Sequence, residues 1–280
     1  MTPEDLLQSD VRLFSLPSIV MEFNMLVYYR APFGEMSRLI SQDAGLAARL
    51  LRIANSAHYA LPRSIDNIPQ AIAVVGVNDL SKMVLATMAV RKFAHIGQDL
   101  VDMEAFWRRS VLTGVAARIL ADESDPKKRD TVFVAGLLHD IGSLIFYHKE
   151  PEKSQLVLFE ANGDRLRVPE IERGVFGFTF ADMGAALAGH WNLPEVMEAC
   201  IRQQLTPLSS EEHSLETRLI RISTLLDDLT LDSAGLAESQ SMVECESLGQ
   251  SPVTPDMLER LFAVLPQQAS SMYGDLFHDV

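Results

Sequence analysis

The stretch Phe133-Val134-Ala135-Gly136-Leu137-Leu138-His139-Asp140-Ile141-Gly142 places a His-Asp pair inside an apolar run. The run predicts a buried helix, on which His139 and Asp140 offer one imidazole and one carboxylate to a single cation such as iron, manganese or zinc. A catalytic metal centre uses at least three protein ligands and leaves one position open. The presence or absence of further ligands therefore distinguishes a metal enzyme from a non-catalytic protein.

Apolar residues recur at helical spacing along most of the chain, whereas the alternation typical of strands is rare. Breakers such as Pro32-Phe33-Gly34, Asp125-Pro126 and Asn162-Gly163-Asp164 divide the chain into segments of about 10–20 residues. A hydrophobic content of 48% in 280 residues is sufficient for a large core. The sequence therefore predicts an all-α fold.

The negative charge is concentrated toward the C-terminus. Of the net charge of −14, residues 206–280 carry −10, because they hold 13 acids and three arginines. Nucleic-acid binding depends on Lys and Arg contacts to phosphates, so we expect no nucleic-acid partner. The acidic segment is instead suited to docking on a basic protein partner.

The N-terminus and the apolar stretches both predict a cytoplasmic protein. Met1-Thr2-Pro3-Glu4-Asp5 is acidic where a signal peptide is basic. Apolar stretches such as 71–77 are far shorter than the roughly 18 residues of a membrane span. We therefore expect no membrane association.

The C-terminal quarter has two predicted parts. Residues 231–253 are rich in Ser, Gly and Glu with little periodicity, which predicts a mobile acidic linker. Thr254-Pro255-Asp256 then predicts the start of a helix, with Thr254 as the N-cap and Pro255 at the first helical position. Residues 254–280 are accordingly predicted to form a C-terminal helical segment.

Several motifs, in order along the chain, resemble the HDOD family. They are Ser41-Gln42-Asp43, Leu50-Leu51-Arg52-Ile53-Ala54-Asn55-Ser56-Ala57-His58-Tyr59, Phe106-Trp107-Arg108-Arg109-Ser110, the His139-Asp140 stretch, Gly184-Ala185-Ala186-Leu187 and Trp191-Asn192-Leu193-Pro194. The resemblance covers about residues 12–205. It implies a multi-helix, HD-like domain over 1–230, with an N-terminal half at 12–100 and an HD-like half at 103–230. Such domains are relatives of the HD phosphohydrolases and typically act in bacterial signalling.

The chain departs from the related metal-dependent HD enzymes at positions where those enzymes place ligands. By alignment with that pattern, the non-ligand residues are Arg109-Ser110, Phe180, Gln203-Gln204 and Thr224. Changes even beside a metal's ligands cost roughly 10–100-fold in affinity or activity. We therefore expect no metal or other cofactor, and a structural role for His139 and Asp140 in which each satisfies buried polar atoms.

The resemblance and the missing ligands together predict a non-catalytic bacterial signal-transduction module that acts by binding signalling proteins or a regulatory ligand. Its oligomeric state is left open. One alternative is a nucleotide sensor, in which Arg108, Arg109 and Gln203 would hold a cyclic dinucleotide.

A second alternative is a metal-dependent phosphohydrolase that acts on a nucleotide or cyclic dinucleotide. His139 and Asp140 would then be residual ligands for Fe, Mn, Ni or Zn, with Asp227 as the next ligand. Asp182 and Asp228 are the other acids that could complete such a site.

Overall fold

The computed structural model describes residues 2–10, 14–56, 64–206, 214–226, 233–247 and 251–277. Every regular element within these ranges is helical, which confirms the predicted all-α fold. The α-helices are α1 (Pro3–Gln8), α2 (Ser18–Tyr28), α3 (Phe33–Ser41), α4 (Ala44–Asn55), α5 (Ile68–Val75), α6 (Val77–Phe93), α7 (Met103–Ser124), α8 (Arg129–Leu137), α9 (Ile141–Lys149), α10 (Pro151–Ala161), α11 (Val168–Val175), α12 (Phe180–His190), α13 (Glu195–Gln203), α14 (Leu215–Leu225), α15 (Ser233–Ser247) and α16 (Pro255–Phe277). Single 3-10 turns occur at Pro126–Lys128 and Arg165–Arg167.

One compact unit consists of residues 16–94 and 264–280. Within it, α2 and α4 pack against α6, and α3 packs against α5. Asn55 ends α4 and is held there by Ile65: its Oδ1 accepts from the Ile65 amide at 2.7 Å, and its Nδ2 donates to the Ile65 carbonyl at 2.7 Å. This pair of hydrogen bonds fixes the chain that leads into α5.

The other compact unit consists of residues 1–15 and 95–263. Its longest buried helix, α7, packs against α8 and α14, while α12 packs against α9 and α13. The α7–α8 contact depends on two glycines. A Cβ added at Gly114 would lie 2.7 Å from the Phe133 carbonyl oxygen, and one added at Gly136 would lie 2.7 Å from the Cα of Gly114. The two backbones therefore approach more closely than any side chain would allow.

The units differ at both termini from the predicted halves 12–100 and 103–230. Residues 1–15 group with the unit that contains 95–263, and residues 264–280 group with the unit that contains 16–94. Hydrophobic spacing along the sequence does not encode such exchanges, because they depend on tertiary packing.

The predicted mobile linker at 231–253 is wrong for residues 233–247, which form α15. Among residues 235–245 of this helix, whose burial the structure describes, the buried positions are Gly235, Ser239 and Val243, four residues apart on one face. Two of the three are small and not strongly apolar, so the stripe is not visible as hydrophobic periodicity. The predicted C-terminal helix does occur, as α16, and Thr254 Oγ1 accepts from the Met257 amide at 3.3 Å as expected of an N-cap.

One stretch of the described chain is long and apolar enough to cross a membrane as a single span. It is Pro126–Lys149, with 24 residues, and 83% of its most apolar window is buried inside the fold. Helices α5 and α6 pass the same test only when taken together, and they are bent by 118°. A cytoplasmic location stays a prediction.

Candidate functional site around His139 and Asp140

His139 and Asp140 lie in the short turn between α8 and α9. The apolar run predicts a helix at these two residues, and that prediction is wrong. The helix ends because the Gly136 carbonyl accepts from both the backbone amide of His139, at 3.3 Å, and its Nδ1, at 2.7 Å. Since a carbonyl only accepts, Nδ1 carries a proton in this contact. The His139 side chain is buried, with 2% of the residue exposed.

Both carboxylate oxygens of Asp140 have partners within the protein. Oδ1 accepts a short hydrogen bond from the Ser143 hydroxyl. Oδ2 forms an ion pair with Arg165, whose Nη2 lies 3.2 Å away. The Asp140 side chain is only 6% exposed, whereas that of Arg165 is 30% exposed. The Arg165 guanidinium thus neutralises the Asp140 carboxylate, which would have to be available to bind a metal ion.

Gln204 connects the His-Asp turn to α14. Its side-chain Nε2 donates to the His139 carbonyl at 2.7 Å and to the Ile201 carbonyl at 2.8 Å. Its own backbone carbonyl accepts from Nη1 of Arg221 at 3.1 Å. Gln204 is 1% exposed, so these bonds satisfy polar groups that burial would otherwise leave unpaired. They hold the His139 backbone and the Arg221 guanidinium in fixed positions.

A cavity of about 310 Å³ adjoins the turn. This volume lies at the lower end of the range for small-molecule sites, roughly 300–1,000 Å³. The residues that line the cavity are His139, Asp140, Ser143, Tyr147, Leu158, Ala161, Gly163, Asp164, Arg165, Leu166, Val168, Pro169, Glu170, Arg173, Phe180, Gln204, Leu205, Arg221, Thr224 and Leu225. Charged and apolar groups therefore share one concave surface.

Glu172 is a buried acid in this region that the sequence analysis missed. Its Oε2 accepts from the Phe180 amide at 2.7 Å, and the residue is 4% exposed. Burial, and secondarily the nearby carboxylates of Asp140 and Asp182, raise the pKa of Glu172 to about 8. Glu172 is therefore largely protonated at neutral pH. Its position on α11, a short helix that also carries Glu170 and Arg173, gave no signal of burial.

Three of the positions aligned with ligands of the HD enzymes surround the same cavity. Phe180, Gln204 and Thr224 all line it, as do His139 and Asp140. The Thr224 hydroxyl donates to the Arg221 carbonyl at 2.8 Å, within its own helix. The three positions thus lie around one cavity, and none of them is His, Cys, Asp or Glu.

The three predicted ligand-binding residues do not line this cavity. Arg108 is exposed and pairs with Glu104 one turn earlier, at 2.7 Å. Arg109 and Gln203 are half-buried and are absent from the cavity wall. A binding role for them stays a prediction. The spacing of α13 instead directs Gln204, the next residue, to the His139 carbonyl.

The described residues do not fit a metal centre. Among them, no group of three or more His, Cys, Asp or Glu side chains is placed to hold one ion. Asp182 is used in the capping box of α12, where it accepts from the Thr179 amide at 2.9 Å. Asp227 and Asp228 lie outside the residues that the structure describes. The pairing of Asp140 with Arg165 also disfavours a metal ion here, because the guanidinium already neutralises the carboxylate.

The sequence matches a known domain family and a curated relative. The model of the HDOD domain family matches residues 13–207. A curated relative, an uncharacterised protein of Treponema pallidum (strain Nichols), is 30% identical over 166 residues. That match covers 59% of this chain and 32% of the relative, so the chain spans about a third of the relative's length.

Solved structures show the same fold at low sequence identity. A candidate phosphohydrolase from Shewanella amazonensis SB2B is 23% identical with a TM-score of 0.78, and the match covers 97% of both chains. An HDOD domain protein of unknown function from Geobacter sulfurreducens is 20% identical with a TM-score of 0.69, over 94% of this chain and 92% of the other. The family match extends over more than two thirds of the sequence, and its motifs build the site described above: this chain belongs to the HDOD domain family.

Proposed function

We propose that the chain is a non-catalytic regulatory module of signal transduction that acts by binding a protein partner or a ligand. The observation that carries this proposal is the pairing of Asp140 with Arg165 and Ser143. In a metal-dependent HD enzyme the corresponding carboxylate must be available to the metal. Here, metal binding would require breaking the ion pair that the buried Asp140 carboxylate forms with Arg165.

The metal-dependent phosphohydrolase is the alternative that must be tested first. The name carried by the Shewanella amazonensis structure raises it, although a likeness of 23% identity supports the fold alone. The two functions make opposite predictions for metal content and for the effect of removing His139.

We expect the purified protein to hold far less than one metal ion per chain, before and after dialysis against a chelator. Adding Fe, Mn, Ni or Zn back should produce no activity on p-nitrophenyl phosphate or bis(p-nitrophenyl) phosphate, because the described site does not supply a ligand set. His139→Ala should leave metal content and hydrolysis unchanged. Elemental analysis and a chromogenic assay provide the measurements.

His95→Ala is the matched control, since His95 is exposed and lies outside the cavity. Near-stoichiometric metal that is lost in His139→Ala but kept in His95→Ala would contradict the proposal. A fall in hydrolysis of about 10-fold or more in the same variant would establish the phosphohydrolase instead.

For a protein partner, the proposal favours a basic surface. Within the acidic segment 206–280, the helices α15 and α16 expose Glu238, Glu244, Asp256 and Glu259. Arg260 in the same segment is already paired with Glu123 of α7. Exposed acids of one sign steer a complementary partner and make its association dependent on salt.

A further inference from the structure

One side of α2 is exposed and apolar. Val20 and Phe23 of this helix are fully buried, and Asn24 is fixed to α6 because its Oδ1 accepts from the Ser81 hydroxyl at 2.6 Å. Along the helix and at the first residue of α3, large apolar side chains are exposed: Met21, Met25, Tyr28, Tyr29 and Phe33. We call these five residues the α2 patch. All of them belong to the unit of residues 16–94 and 264–280.

The members of the α2 patch are neighbours along one stripe. Met21, Met25 and Tyr29 follow at intervals of four residues, so they share one side of the helix. The rings of Tyr28 and Tyr29 contact edge to face, with their centroids 5.2 Å apart. Phe33 begins α3, which packs against α2. The patch therefore runs along α2 and continues to the start of α3.

The area of the α2 patch matches one side of a stable dimer. Tyr28 is 81% exposed, Tyr29 71% and Phe33 53%, so these three rings expose roughly 400 Å². Met21 and Met25, which are 49% and 57% exposed, bring the apolar total to about 500 Å². A standard interface buries about 800 Å² of each partner, and a little more than half of that area is apolar. An exposed patch of this size marks an interaction site.

Two side chains of opposite charge flank the α2 patch. Glu22 is exposed near the start of α2, and Arg30 is exposed just beyond its end. Neither side chain has an ion-pair partner within the part of the chain that the structure describes. Arg30 also has a φ of +53°, in the left-handed region that favours glycine. The backbone therefore gives no reason for an arginine at this position.

We propose that the α2 patch is the interface of a dimer of this chain, in which the two α2 helices are antiparallel about a two-fold axis near Met25. This axis places Met21 of one copy beside Tyr29 of the other. It also brings Glu22 of one copy within reach of Arg30 of the other. Because a two-fold interface uses the same surface on both copies, each of these contacts forms twice.

The α2 patch suits a second copy, and not the basic partner that the C-terminal acids favour. It is flanked by one acid and one base, so it offers no field of a single sign. Tyr, Phe, Met and Arg are the residue types enriched in protein interfaces. The inference goes beyond the regulatory function and does not depend on it, because metal content and dimer formation are measured separately.

Sedimentation velocity on the full chain, at concentrations from about 1 to 100 μM, tests the proposal, since interfaces of this size bind with micromolar or tighter affinity. We expect a dimer that Tyr28→Lys weakens by about 10-fold or more, because a large aromatic is lost from the interface. Both proteins should show the same circular dichroism, since Tyr28 is exposed. A wild type that is monomeric at every concentration would overturn the proposal, and so would a dimer that Tyr28→Lys leaves unchanged.

Phe159→Lys is the matched control. Phe159 is also 81% exposed, but it lies on α10 in the unit of residues 1–15 and 95–263. The substitution adds the same charge and removes an equally exposed ring. It should leave the dimer as stable as in the wild type.

Glu22→Arg and Arg30→Glu test the antiparallel arrangement. Each variant alone would oppose like charges at both contacts, so its dimer should weaken several-fold. An equimolar mixture of the two variants restores opposite charges at both contacts, and mixed dimers should form with nearly wild-type affinity. Both side chains are exposed, so neither substitution should affect folding. A mixture that associates no better than either variant alone would overturn this arrangement.

Discussion

Replacing Gly142 with alanine is expected to destabilise the unit that carries the His-Asp turn by about 4 kcal/mol or more. A Cβ at this position would lie 2.0 Å from the Phe180 carbonyl oxygen and 2.6 Å from the Gly184 amide nitrogen. Both atoms belong to the backbone of α12, so no side-chain rotation relieves the clash. Helices α9 and α12 would have to separate, and thermal unfolding should shift down by about 10 °C or more.

Gly174→Ala provides the matched control for this substitution. Gly174 also lies in a helix of the same unit, but a Cβ there meets nothing within 4 Å. Alanine in a helix is favoured over glycine by roughly 0.5–1 kcal/mol, so this variant should be as stable as the wild type or slightly more stable. If Gly142→Ala has the same melting temperature as Gly174→Ala and the wild type, α9 and α12 do not pack as closely as the structure shows.

The sequence could predict the fold class but not the turn at His139 and Asp140. The order of the motifs around His139-Asp140 was sufficient to predict an all-α, HD-like fold, and the family match over 13–207 bears this out. The apolar run around His139 and Asp140 did not reveal the turn between α8 and α9. An apolar run predicts burial without stating where a helix ends, and here it ends because Gly136 accepts two bonds from His139.

The candidate site could be predicted only in part, for reasons of topology. Phe180, Gln204 and Thr224 were placed by alignment with a known pattern, and they do meet at the cavity. Arg165 and Arg221 follow no motif, and they reach the site from elements that are distant in sequence. Only the tertiary structure brings them together. In α15, the buried stripe of Gly235, Ser239 and Val243 was missed because small residues carry little hydrophobic signal.

Removing the buried acid at Glu172 should change how stability depends on pH. The ordinary pKa of a glutamate is 4.5, and burial beside Asp140 and Asp182 raises that of Glu172 to about 8 in the folded protein. Between these values the folded state binds a proton that the unfolded state has released. Stability therefore falls as pH rises from about 4.5 to about 8, and above that range the full penalty is present.

Glu172→Gln removes this penalty and keeps a carbonyl oxygen that can accept from the Phe180 amide. We expect the variant and the wild type to differ little near pH 4.5. Near pH 9, the variant should be more stable by roughly 5 kcal/mol, since each pKa unit corresponds to about 1.4 kcal/mol. Denaturant unfolding at several pH values between these limits gives the difference in free energy of unfolding between the variant and the wild type. The titration of other groups cancels in this difference because both proteins contain them.

Glu160→Gln is the control for the loss of one negative charge, because Glu160 is exposed on α10 of the same unit. Its stability difference from the wild type should stay small across the same pH range, as is usual for exposed charges. A difference for Glu172→Gln that does not grow with pH would mean that the Glu172 carboxyl is ionised in the folded protein at neutral pH. The region around Asp140 would then hold one more negative charge.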